Sequence, residues 1–119
     1  MNIIEHLVNQ KRVAVIASDS LVIHDVESGT DFIGEIYYLG YEGVILKREH
    51  LVAEFFDLKT KLAGEILQKF SNYRVKLAIV GNWELITSNS LQDFIRESNS
   101  GRLIYFASST DDALENFRL

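Results

Sequence analysis

The chain has 119 residues, enough for one core that buries roughly two-thirds of the surface of the unfolded polypeptide. Hydrophobic residues make up 47% and charged residues 24%, which excludes the polar, highly charged composition that keeps chains disordered. With 12 basic residues against 17 acidic ones and a net charge of -5, there is no basic footprint for DNA or RNA. Cysteine and proline are both absent, so disulfides, thiolate metal sites, a cysteine nucleophile and proline-rich docking segments are ruled out.

Met1 to Val8 contains Glu5 and His6 and lacks the basic start and apolar core of a signal peptide. No apolar run reaches the roughly 18 residues that mark a membrane helix, so a cytoplasmic protein without membrane contact is expected. Residues 2–8 and 12–17 are two β-like runs separated by Asn9-Gln10-Lys11, which predicts an antiparallel hairpin. Asp25 is placed to cap a helix to about Leu39, with Val26, Ile33, Ile36 and Tyr37 near helical periodicity. Gly40 then stands where a left-handed terminating residue is wanted. Gly43 to Lys47 reads as a strand, followed by a turn at Arg48-Glu49-His50 into a long helix on which Leu58, Leu62, Ile66 and Phe70 recur every four residues. Val75 to Val80 is a buried strand ending at Gly81-Asn82. Ser90 with Asp93 resembles a capping box for a helix that stops at Gly101. Leu103 to Ala107 is the last strand, and Ser109 with Asp112 opens a terminal helix bearing Ala113, Leu114 and Phe117.

The pattern is a single α/β domain over residues 1–119 with a small mixed sheet, in the order β-β-α-β-α-β-α-β-α; no repeat or linker divides it. Strands joined by helices of this length are parallel through right-handed crossovers, leaving the first strand as the antiparallel exception. Their carboxyl ends then gather Ser18-Asp19-Ser20, Arg48-Glu49-His50, Gly81-Asn82-Trp83 and Ser108-Ser109-Thr110 at one edge. Open α/β sheets bind ligands at that edge.

This order of elements resembles the STAS fold of sulfate transporters and anti-sigma-factor antagonists, in topology over most of the chain. The stretch EFFDLKTKLAGEILQKFSNYRVKLAIVG, residues 54–81, is similar to the signature of a bacterial family of single-domain proteins known only as a domain of unknown function. That resemblance implies a bacterial, cytoplasmic, single-domain protein and carries no activity. Anti-sigma antagonists place a phosphorylatable serine beside an aspartate before the matching helix. Here the turn reads Phe56-Asp57-Leu58-Lys59-Thr60, without a serine.

No P-loop, G-x-G-x-x-G, H-E-x-x-H or G-x-S-x-G motif is present. His6, His24 and His50 are dispersed, so no metal site and no cofactor are expected. His50, beside Glu49 at a strand end, reads either as a general base oriented by a carboxylate or as part of a solvated turn. Asp57 stabilises the start of the long helix or forms a functional pair with Thr60, and Lys59 and Lys61 either attract an anion or simply face water. Gly64 lies on the polar face of that helix with Thr60, Lys61 and Gln68, which is the place for a close helix approach or a tolerated blemish. Trp83, after Asn82 and near Phe55 and Phe56 in the strand-end grouping, lines a pocket or lids the core. Tyr37, Tyr38 and Tyr41 read as packing or interface residues.

Together these features predict a non-catalytic cytosolic regulatory or protein-interaction module with a protein partner, dimeric through the helix face around Gly64, Lys61 and Gln68. The alternative is a small enzyme or small-molecule-binding protein at the strand-end edge. Its catalytic candidates are Glu49, His50 and Asp57, and its ligand-binding candidates Lys59, Thr60, Asn82 and Trp83. A deep, partly apolar pocket with convergent polar groups favours the second reading and a flat surface the first.

Overall fold

A computed structural model describes all residues, 1–119. Strand β1 (Asn2–Val8) pairs antiparallel with β2 (Lys11–Ala17) in an unbroken register from Asn2↔Ala17 to Val8↔Lys11. The loop is only Asn9-Gln10, with φ of 52° and 68°. Two consecutive left-handed residues make the turn whose twist matches a right-handed hairpin. Lys11, expected in the loop, therefore belongs to the strand.

Helix α1 (Val26–Tyr38), β3 (Gly43–Lys47), α2 (Leu62–Tyr73), β4 (Lys76–Val80), α3 (Asn89–Ser100), β5 (Ile104–Ala107) and α4 (Thr110–Asn116) follow. The five strands lie in the sheet in chain order, with β2 to β5 parallel. Because each right-handed crossover steps the same way along the sheet, α1, α2 and α3 must fall on one face. The main core shows this: Phe32, Ile33 and Ile36 of α1 and Ala63, Ile66 and Phe70 of α2 pack on Ala14, Ile16, Val44, Leu46, Leu77, Ile79, Ile104 and Phe106. The opposite face has a smaller core, where Ala113 and Phe117 cover Val13, Ile45, Ala78 and Ala107.

Helix α1 begins and ends where its sequence says. The Asp25 carboxylate accepts from Ser28 N at 2.7 Å, and the Ser28 hydroxyl accepts in return from Asp25 N. At the other end Gly40 has φ of +86°, which lets Tyr41 N reach Ile36 O at 3.2 Å. Within α1, Gly29 sets the distance to α2, since a Cβ there would fall well inside contact range of Ile66 Cδ1.

Two expectations are corrected. The long helix does not include Leu58: residues 53–56 and 58–60 form 3-10 turns, and Lys61, with φ of 64°, breaks the path before α2 starts at Leu62. The four-residue spacing is real, but local turn chemistry overrides it at this end. The Thr60 hydroxyl shares its proton between Glu54 O at 2.7 Å and Asp57 O at 2.8 Å and accepts from Leu62 N at 3.3 Å. Helix α3 is capped by Ser88, which accepts from Leu91 N, and not by Ser90; Asp93 pairs with Arg96 instead.

Candidate functional site

The carboxyl ends of β2 to β5 form one rim. Chain continuity brings Ser18, Arg48, Gly81 and Ser108 there, each directly after a strand. His50 ties two of these connections together and is only 1% exposed. Its Nδ1 accepts from Lys47 N at 3.0 Å, which puts the ring proton on Nε2, 3.1 Å from Ser18 O. The His50 carbonyl accepts from Val22 N and Ile23 N. The solvated-turn reading is thus overturned by burial. The general-base reading loses its free nitrogen, because both ring nitrogens hold backbone groups while Glu49 is exposed to solvent.

Trp83 lids the core. Its Nε1 donates to Ala107 O at 2.9 Å, and its ring meets Phe106 edge-on at 4.9 Å and Phe56 at 5.7 Å. The Arg48 guanidinium lies 5.3 Å from the Phe56 ring and 5.4 Å from the Trp83 ring, a cation held over two aromatic faces. Phe55 is buried and packs edge-on against Phe56. Outward of this stack an open cleft of about 480 Å³ runs between the 53–60 turns and the segment leading into α3. Phe56, Leu58, Leu85 and Ile86 supply its apolar wall, Arg48 and Lys59 its cations, Asp57 its carboxylate, and Thr87, Ser88 and Ser90 its hydroxyls. Leu85 is 75% exposed there.

Of the candidate residues, the structure brings Asp57 and Lys59 to the cleft. The Asp57 carboxylate accepts from Lys59 N at 3.3 Å, capping a 3-10 turn and not α2. The Thr60 hydroxyl is spent on the same turn, and Asn82 is exposed without a capping bond. Trp83 stands behind the cleft and does not line it. Gly64, Lys61 and Gln68 occupy the solvent side of α2, where a Cβ at Gly64 would meet nothing within 4 Å and Gln68 bonds Asn72. Tyr37 packs on Tyr73, Tyr41 is buried beneath Arg12, and Tyr38 is exposed. Arg48, Leu85 and Ser88 were missed. Arg48 stands in a strand-end triplet with nothing in the local sequence to tie it to Phe56 and Trp83, and the 3-10 turn Trp83–Leu85 that projects Leu85 leaves no periodic trace.

At the far side of the rim, the Asp112 carboxylate accepts from Ser108 N at 2.8 Å and from the Ser108 hydroxyl at 3.2 Å. The Ser108 N–H holds its pKa below the ordinary 3.8. Burial pushes the Tyr105 phenol, 3.3 Å from the same carboxylate, in the opposite direction. Nowhere do three or more His, Asp or Glu side chains converge on a point that could hold a metal ion. No helix is long and apolar enough to cross a membrane.

A family model described as a domain of unknown function, DUF4180, matches residues 8–117. No curated protein matches the chain, and no solved structure does.

Proposed function

The chain belongs to the DUF4180 family, and on that premise we propose that it is a non-catalytic regulatory module of a bacterial cytosol, STAS-like in topology, that recognises a protein partner through the strand-end cleft. The observation that carries this reading is the chemistry of the cleft. It sets an exposed leucine and a half-buried phenylalanine beside Arg48 and Lys59, while the one histidine at the rim is committed to the backbone. Such a surface suits a partner segment that offers an apolar side chain next to a carboxylate.

A second reading, a small-molecule-binding protein or small enzyme at the same place, is favoured by one observation, the volume of about 480 Å³, which falls in the range of ligand sites. Site-specific photocrosslinking from position 85 in cells separates the two. The module reading expects one discrete protein adduct, lost when Arg48→Glu is introduced. A small molecule that co-purifies in native mass spectrometry and is lost with Arg48→Glu, without a protein adduct, would replace it with the second reading.

A further inference from the structure

A five-stranded open sheet has two edges, and here they are treated oppositely. At the β5 edge the strand is only Ile104–Ala107, and the outward-facing backbone of Phe106 is closed by one side chain. Asn99 Oδ1 accepts from Phe106 N at 2.7 Å and Asn99 Nδ2 donates to Phe106 O at 3.2 Å, so its amide stands in for a neighbouring strand. The β1 edge has no such closure. It is seven residues long, in unbroken register with β2, free of proline, lysine and bulges, and has no strand beyond it. Proteins that must stay monomeric blunt an edge of this kind. Ile4 and Leu7 on β1 are 53% and 67% exposed.

We propose that β1 pairs antiparallel with β1 of a second copy about a two-fold axis at Ile4, joining two sheets into one. The register follows from the hairpin and from charge. Val8 and Lys11 close the two-residue turn as a hydrogen-bonded pair, so alternation leaves the N–H and C=O groups of Ile3, Glu5 and Leu7 pointing out of the edge. An axis at Glu5 would set two carboxylates directly opposite, which is destabilising. An axis at Ile4 instead pairs Ile3 with Glu5 of the second copy through those outward groups. It puts Ile4 against Ile4 in the closely spaced, non-hydrogen-bonded position and brings Leu7 opposite Met1. The three most exposed apolar side chains of the hairpin are thereby covered. Glu5 stays neutralised by its own Arg12, whose Nη2 lies 2.8 Å from Oε1. A second copy fits better than an unrelated strand because it brings the same length, the same outward hydrogen-bond pattern and an apolar residue for each of these positions. The dimer expected from the sequence is therefore assigned to β1 in place of the polar α2 face around Gly64.

Sedimentation velocity on the full chain tests this, with circular dichroism confirming that each variant is folded. The wild type is expected at twice the chain mass. Ile4→Lys, which sets two ammonium groups face to face, should weaken association at least about tenfold, and Gly64→Leu should leave it unchanged. In the wild type, hydrogen exchange should show the Ile3 and Glu5 amides protected at high concentration and released on dilution. A monomeric wild type at its highest soluble concentration, an undiminished Ile4→Lys dimer, dissociation by Gly64→Leu, or concentration-independent exchange at Ile3 and Glu5 would each overturn the proposal.

Discussion

His50 does for the rim what a disulfide or a metal does in other small domains: it ties two loops that chain connectivity leaves apart. Replacing it by alanine leaves the part-buried Lys47 N–H and Ser18 carbonyl without their partner and opens a cavity where a fully buried ring stood, and the expected cost is about 2–4 kcal/mol in urea unfolding. Asp112 acts through charge. Its folded pKa lies below the ordinary 3.8, so its contribution to stability is complete above that value and is lost as the pH falls through the folded pKa. Thermal melts taken from about pH 5 down to about pH 2 should show a shallower acid loss for Asp112→Asn than for the wild type. The sequence marked both residues, yet it misjudged His50. Its environment depends on a carbonyl 32 residues away, which no local pattern reveals.

Among the elements, the pair α1 and α2 is the most exacting. Gly29→Ala should cost up to about 2 kcal/mol, because the gain of about 1 kcal/mol in helix propensity offsets only part of the push against buried Ile66 and Ile23, and Ile66→Val, which removes the obstructing Cδ1, should recover part of that loss. Gly64→Ala has the opposite sign, because nothing opposes its Cβ; a gain of up to about 1 kcal/mol is expected from helix propensity alone. Denaturant titration of the three single variants and the Gly29→Ala, Ile66→Val double variant measures all of this. Strands and helices were legible wherever apolar spacing or a cap announced them, as at Asp25, Gly40 and Ser109. They were misread where several capping residues stand together, as at Ser88-Asn89-Ser90, or where a turn imitates a helical repeat, as at Leu58. Gly29 is not legible in the sequence, because a glycine's purpose lies in the residues facing it, here Ile66 and Ile23.

At the level of the whole molecule, the alternation of strands and helices was enough to give the class, the mixed sheet and the gathering of four connections at one rim. The cleft was not legible, since its walls come from two 3-10 segments without periodicity. A chain without proline should also refold without the slow phase of tens of seconds that proline isomerisation imposes; stopped-flow and manual-mixing fluorescence of Trp83 would reveal one if it exists. The Asn99 amide has a consequence for growth. A sheet with one adhesive edge stops at a pair, because each copy uses up the other's capacity, whereas a sheet with two adhesive edges has no stopping point. Asn99 precedes Ser100, and hydrolysis of its amide to a carboxylate would remove the donor to Phe106 O and set negative charge against that carbonyl. Under the proposed β1 pairing, the Asn99 amide is what keeps the β5 edge from taking up a further copy.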